Sequence, residues 1–127
     1  MKTGSKIVSS ALAAAIVALS AAPALAAPPA PVVDQVFHQR CEACHSTAKG
    51  ARPGIGPNLA GVVGRTAGST AFNYSDALKK SGIKWTPANL DRFLTAPSRM
   101  VPGTRMAVAI SDPAQRAQLI RFLSRAR

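Results

Sequence analysis

The feature that most constrains this chain is the stretch R-C-E-A-C-H-S, residues 40–46, which contains both cysteines and one of the two histidines. Three chemistries use a Cys-x-x-Cys pair: a redox disulfide, a zinc site and, when His follows directly, covalent attachment of haem. Each chemistry needs different surroundings, so the rest of the chain decides between them.

The surroundings of the cysteines do not favour the first two chemistries. A thioredoxin-like disulfide follows a strand within a βαβ unit, and the chain has no convincing strand pattern. Zinc takes four ligands, and beyond Cys41 and Cys44 only His38 and His45 offer a nitrogen or sulfur ligand; His45 is adjacent to Cys44, and adjacent side chains diverge. A purely structural disulfide across two residues closes too small a loop to stabilise the fold much.

Haem attachment explains the spacing directly. Cys41 and Cys44 lie about one helical turn apart, so both thiols can add to the vinyl groups at one porphyrin edge. The imidazole of His45 can then turn to the iron. A haem with one protein ligand accepts a second, for which Met100 and Met106 are both candidates, although thioethers also fill cores.

The N-terminal residues are typical of an export signal. Lysines within the first six residues form a positive region, residues 11–19 are apolar, and residues 24–26 (A-L-A) fit the small-x-small cleavage rule. We predict cleavage after Ala26, which makes residues 1–26 a signal peptide. An uncleaved anchor is the alternative, but the apolar run is shorter than the ~20 residues that a spanning helix needs.

Charge and export together exclude one class of partner. The chain has 16 basic and 5 acidic residues, and only two of the basic residues precede the predicted cleavage point, so the mature part has a formal charge of +9. This balance indicates an acidic partner or surface. Nucleic acid, the usual partner of a basic domain, does not fit an exported protein.

The remaining chain is patterned as helices joined by long loops. After a proline-rich lead over residues 27–31, which we predict to be flexible, apolar periodicity predicts four helices and no strand. They begin near Pro31, Ser75, Thr86 and Asp112, and the first delivers the cysteines at its end. Residues 46–73 and 97–110 are rich in turn residues and are predicted loops; the first is long enough that it must pack against something. Three arginines of the last helix are expected on its polar side: Arg116, Arg121 and Arg125.

Six segments occur in an order that identifies a family. They are C-E-A-C-H (41–45), G-P-N-L-A-G-V-V-G-R-T-A-G (56–68), F-N-Y-S-D-A (72–77), G-I-K-W (82–85), P-G-T-R-M (102–106) and Q-L-I-R-F-L (118–123). The chain resembles the class I c-type cytochromes, in particular their mitochondrial-like and bacterial cytochrome c2-like members, over residues 32–127. The resemblance implies an all-α cytochrome c fold of about four to five helices, with long loops wrapped around one covalently bound haem.

The resemblance assigns the ligands of that haem c. Cys41 and Cys44 would hold it by thioethers, with His45 as the proximal and Met106 as the distal ligand of the iron. The other ring N–H of His45 would donate to the backbone carbonyl of Pro57, which fixes the imidazole.

Other residues match the wall of the haem site. Arg65, Tyr74 and Trp85 match groups that hydrogen-bond or neutralise a buried propionate, and Thr104 matches another near it. Without the resemblance, an aromatic core and a solvated charge would be the simpler interpretations. The expected site is an apolar cavity lined by Cys41, Cys44, His45, Pro57, Trp85, Phe93 and Met106.

Three positions depart from the family. Val33 replaces a small glycine where the first and last helices cross, which predicts a wider or differently angled crossing. Phe93 replaces a tyrosine near the methionine sulfur, and Leu78 replaces an asparagine on the short helix. Both remove polar groups that tune the reduction potential in the family.

The implied function is electron transfer without catalysis. We expect a soluble, monomeric, periplasmic carrier that moves single electrons between respiratory or dehydrogenase partners. Acidic docking surfaces of the partners would meet the haem edge, and a generally solvated basic surface is the alternative. The residues expected to ring that edge are Lys79, Lys80, Lys84 and Arg105, with Arg52 and Arg99.

Two other functions stay open. A cytochrome subunit bound stably to a periplasmic dehydrogenase or oxidase would carry a sizeable exposed apolar patch. A haem enzyme or gas sensor would have an open iron position, which requires that Met106 not bind the iron.

Overall fold

The computed structural model describes Met1, Gly4 and residues 34–127. The predicted signal peptide, the flexible lead and Val33 therefore lie outside the described residues. The predicted start of the first helix near Pro31 is wrong, because Asp34 is extended and caps a helix that begins at Gln35. Within residues 34–127 the chain has an isolated bridge but no sheet, and the all-α prediction with four to five helices is confirmed. The helices are α1 (Gln35–Arg40), α2 (Asp76–Lys80), α3 (Pro87–Thr95), α4 (Pro97–Met100) and α5 (Pro113–Arg125).

Polar side chains fix where four of these helices begin. The side chains of Asp34, Ser75, Thr86 and Asp112 each accept a backbone N–H from the first turn of α1, α2, α3 and α5 respectively. Such caps satisfy backbone donors that have no partner within the helix. The starts predicted near Ser75, Thr86 and Asp112 are therefore confirmed.

The prediction of an unbroken loop over residues 97–110 is wrong at its start. Ala96 has non-helical backbone angles (φ −158°, ψ 82°) and ends α3, and the next residues form the single turn α4, which the Val101 N–H closes on the Pro97 carbonyl at 2.8 Å. A helix of one turn is too short to show an apolar period in the sequence.

Helix α5 packs against both α1 and α3. The rings of Phe37 in α1 and Phe122 in α5 have their centroids 5.2 Å apart, and Leu119 of α5 is only 1% exposed. The predicted packing between the first and last helices is confirmed. It places the end of α1, where the cysteines follow, over the core.

The glycine-rich loop is held to the segment before α3. Thr66 and Lys84 form the isolated bridge, the Gly64 N–H donates to the Trp85 carbonyl at 2.8 Å, and the Trp85 N–H donates to the Arg65 carbonyl at 2.9 Å. The long loop over residues 46–73 thus packs against the segment before α3. This confirms the expectation that so long a loop packs against another part of the protein.

One arginine of α5 is not where the sequence suggests. Arg116 is buried, whereas the other two arginines that we expected on the polar side are exposed. Its Nε donates to Asp91 Oδ1 at 2.8 Å, and its Nη1 donates to the carbonyls of Ile110 and Ser111 at 2.9 and 2.8 Å. These three acceptors compensate for the burial of the charge.

Candidate haem site

A cavity of about 390 Å³ lies between the end of α1, the glycine-rich loop, α3, α5 and the segment after α4. All nine residues to which the resemblance gives a role at the haem lie in its wall: Cys41, Cys44, His45, Pro57, Arg65, Tyr74, Trp85, Thr104 and Met106. Aliphatic and aromatic side chains supply much of the rest, among them Phe37, Leu59, Val62, Leu90, Phe93 and Leu94. The cavity is therefore the site expected from the sequence, and the roles of the single residues toward haem stay predictions.

The two cysteines lie in the turn that ends α1. Cys41 caps the helix, and its carbonyl accepts the N–H of Cys44 at 3.0 Å and that of His45 at 2.9 Å. Neither cysteine forms a disulfide. The turn presents both thiols to the same cavity, which is the arrangement that attachment to one porphyrin edge needs.

The environment of Cys41 also opposes a redox role for the pair. Burial raises the pKa of its thiol to about 11, and the nearby charge of Arg40 lowers that pKa by less. Reactive Cys-x-x-Cys pairs depend on a lowered thiol pKa, because the thiolate is the nucleophile. A thiol that stays protonated at neutral pH does not suit disulfide exchange.

One ring nitrogen of His45 is hydrogen-bonded to the backbone, and the other is free. Its Nδ1 lies 2.7 Å from the Pro57 carbonyl oxygen, which can only accept, so Nδ1 carries the proton. The lone pair of Nε2 is then available to a metal ion. The contact predicted from the resemblance is present, and it fixes both the tautomer and the direction of the imidazole.

Gly56 lies directly against this imidazole. A Cβ built on Gly56 would lie 2.7 Å from His45 Nδ1 and 2.8 Å from Nε2, closer than carbon and nitrogen atoms approach without a bond. A Cβ on Gly54 meets only the Cys44 carbonyl oxygen, at 3.2 Å. Glycine at position 56 therefore makes room for the ring.

We expect Gly56→Ala to displace the imidazole and to destabilise the haem-loaded protein by about 1–3 kcal/mol, as overpacking of a core does. Gly54→Ala is the matched control and should cost clearly less. Urea unfolding of the two variants, followed by circular dichroism, measures the difference. Equal losses would contradict a specific contact between Gly56 and the ring.

The two candidate methionines differ in position. Both methionines are half-buried and pack against the core, but Met106 lines the cavity and Met100, at the end of α4, does not. The Met106 N–H donates to Thr104 Oγ1 at 3.4 Å, and Arg105 Nη1 donates to the Asn73 carbonyl at 2.7 Å. Of the two candidate methionines, Met106 is therefore the one in the cavity wall.

Arg65 and Tyr74 are held in place by protein groups. The guanidinium of Arg65 donates to the carbonyls of Asn58 and Ala60, both at 3.0 Å, and the buried Tyr74 hydroxyl pairs with that of Thr70. Two carbonyls use only part of the guanidinium's five N–H donors, so the rest can face an anion in the cavity.

Two of the three residues that depart from the family lie in the cavity wall. Leu78 of α2 and Phe93 of α3 both line it, and the ring of Phe93 lies 5.0 Å from that of Trp85, centroid to centroid. Both put hydrocarbon where the family commonly has a polar group. We therefore expect fewer hydrogen bonds around the iron ligands than in relatives with tyrosine and asparagine.

The rim of the cavity combines apolar and basic groups. Ile55 is 81% exposed and Val108 is 39% exposed, and both line the cavity, as do the exposed Arg40 and Arg105. We call these four residues the rim. Of the six basic residues expected there from the sequence, only Arg105 lines the cavity, and Arg40 was missed although it directly precedes Cys41.

The family model described as cytochrome c matches residues 33–127. The chain belongs to the cytochrome c family.

Cytochrome c2 of Rhodomicrobium vannielii is 48% identical over 93 residues, which cover 72% of this chain and 74% of that protein. Cytochrome c2 of Agrobacterium tumefaciens is 47% identical over 90 residues, 67% of this chain and 81% of that protein. The solved structure of cytochrome cH from Methylobacterium extorquens is 42% identical and superposes with a TM-score of 0.66, covering 71% of this chain and 91% of that one.

As a class I c-type cytochrome the protein carries one haem c, bound covalently through Cys41 and Cys44. The cavity fits this group, because it offers two thiols, an imidazole with a free Nε2 and a largely apolar wall. No helix within the described part of the chain is long and apolar enough to cross a membrane.

Proposed function

We propose that this cytochrome is a periplasmic carrier of single electrons in which His45 and Met106 are the axial ligands of the haem iron. The observation that supports it is the placement of the His45 imidazole, with Nε2 free, and of the Met106 thioether in the wall of one cavity. Haem supplies one-electron chemistry, and histidine with methionine ligation in an apolar pocket favours the ferrous form. Pro57 orients the imidazole, and Met106 closes the remaining position to small ligands.

A carrier of this kind exchanges one electron reversibly and binds no external ligand. Spectroelectrochemical titration of the haem-loaded protein should give a one-electron curve at a positive potential, unchanged under carbon monoxide. Rapid binding of carbon monoxide to the reduced protein would contradict the proposed ligation and favour the open-site enzyme or gas sensor.

The small apolar area at the rim supports transient docking over a permanent complex. Within residues 34–127 the exposed large hydrophobic side chains are Ile55 and Val108, and both lie at the rim. Stable subunit interfaces are larger and more apolar than two side chains provide. We propose that acidic redox partners dock at this rim for the time of electron transfer.

The rim charges should steer an anion to the haem. We expect the rate of reduction by ferrocyanide to fall several-fold as ionic strength rises from ~0.01 to ~0.15 M, since the screening length shrinks from about 30 to about 8 Å. Arg40→Gln should lower the low-salt rate, and Arg121→Gln, at an exposed arginine outside the cavity wall, should change it less. A rate independent of salt would contradict steering.

We also propose that residues 1–26 direct export and are removed after Ala26, as the N-terminal charge, the apolar run and the A-L-A site indicate. Mass spectrometry of the intact protein from a periplasmic fraction should give the mass of residues 27–127 plus one haem. A mass that includes residues 1–26 would contradict cleavage.

A further inference from the structure

The segment between α4 and α5, residues 101–111, carries Met106, and a buried arginine anchors the C-terminal end of this segment. Arg116 of α5 donates from Nη1 to the carbonyls of Ile110 and Ser111, at 2.9 and 2.8 Å, and from Nε to Asp91 of α3 at 2.8 Å. One guanidinium thus ties the end of this segment to two helices that supply cavity wall.

The anchored residue Ile110 is almost completely buried, with 2% exposure. Its N–H donates to the carbonyl of Leu94 in α3 at 2.8 Å, and its carbonyl accepts from Arg116. A buried carbonyl that loses its partner carries a desolvation penalty, which release of the segment to water would relieve. Without Arg116, the free-energy cost of releasing the segment is therefore lower.

Two further contacts of the segment are exposed and compete with water. Arg40 donates to the Ala109 carbonyl at 3.1 Å and Arg105 donates to the Asn73 carbonyl at 2.7 Å, both at the protein surface. Residues 107–109 are exposed and belong to no helix. Segments of this kind open locally at a lower free energy than the whole fold, and the buried contacts of Ile110 with Arg116 and Leu94 raise the free energy of opening this one.

We propose that Arg116, held by Asp91, is a positioning residue for Met106: it fixes residues 110 and 111 and thereby keeps the thioether on the iron. The inference rests on the proposed ligation by Met106. It predicts that weakening the anchor releases Met106 while the helices stay folded.

The test uses the long-wavelength absorption band of ferric haem c that requires a thioether on the iron, here called the thioether band. In Arg116→Lys the ammonium can still pair with Asp91 but lacks the planar fork that reaches two carbonyls as well. The matched control is Arg121→Lys, at an exposed arginine of the same helix. Both haem-loaded proteins are heated while the thioether band and the far-ultraviolet circular dichroism are recorded.

We expect the thioether band of Arg116→Lys to disappear at temperatures where its circular dichroism is still native. The fraction without the band should be about tenfold higher than in Arg121→Lys, the effect of losing one charge-assisted hydrogen bond. Asp91→Asn should change the band in the same direction by less, and it provides the test if Arg116→Lys does not fold with haem.

Two results would overturn the inference while the proposed function stands. If the band and the circular dichroism of Arg116→Lys shift together, or if that variant behaves as Arg121→Lys does, Arg116 does not position Met106. Absence of the band from the unmodified protein would instead refute ligation by Met106, and with it both proposals.

Discussion

Replacing both Cys41 and Cys44 by alanine should leave the protein without covalent haem and without a cooperative fold. The proposed place of the haem is the cavity of about 390 Å³, which is lined by residues of the helices and the long loop. At roughly 24 cal/mol per Å³, leaving such a cavity empty costs up to about 9 kcal/mol. That penalty is comparable to the whole stability of a typical domain, about 5–15 kcal/mol.

Two measurements check this expectation. Haem staining after denaturing electrophoresis should be lost, and the thermal unfolding curve from circular dichroism should become broad and non-cooperative. The matched control is Ala43→Ser, at one of the two exposed residues between the cysteines. This variant should keep both the haem stain and the cooperative unfolding transition. Covalent haem in the double variant would contradict the attachment sites.

Replacing Met106 by alanine should open the distal position of the iron. We expect loss of the thioether band, binding of carbon monoxide by the reduced protein, and a reduction potential lower by a few hundred mV, within the range of roughly 0.8 V that axial ligands span. Absorption spectra and a redox titration measure all three. Retention of the band would show that another group ligates the iron.

Met100→Ala is the control for this replacement, since Met100 packs against the core outside the cavity wall. It should keep the band and the potential while losing about 1–3 kcal/mol of stability, less than a fully buried methionine would lose. The pair of variants separates a ligand from a core residue of the same chemistry.

The local features of this protein could be predicted from its sequence. The cysteine spacing, the capping residues Ser75, Thr86 and Asp112, and the packing face of α5 depend on neighbours in the chain, and the structure has each of them where the sequence indicates. The choice of Met106 over Met100 needed the family resemblance, because neither composition nor spacing separates two methionines in one loop region.

The missed features depend on contacts between distant residues. Asp91 and Arg116 are 25 positions apart, and no periodic pattern connects a carboxylate on α3 with an arginine on α5. In the sequence, Arg116 therefore cannot be distinguished from the exposed arginines of its helix. Its three hydrogen-bond acceptors become evident only in the folded structure. Arg40 differs, because its position directly before Cys41 was a signal that it would lie beside the haem.

The physical basis of the proposed carrier is a site with little left to rearrange. His45 is fixed through Pro57, the cavity wall is largely apolar, and the segment with Met106 is anchored to α3 and α5. With both axial positions filled by His45 and Met106, as we propose, a change of oxidation state would need no movement of ligands. The rim then leaves one edge of the site within reach of a partner.

The most direct test of this proposal is the absorption spectrum of the unmodified, haem-loaded ferric protein at neutral pH. We expect a low-spin spectrum that includes the thioether band, as ligation by His45 and Met106 requires. A spectrum without that band, with the high-spin features of an iron open to water, would contradict the proposed carrier.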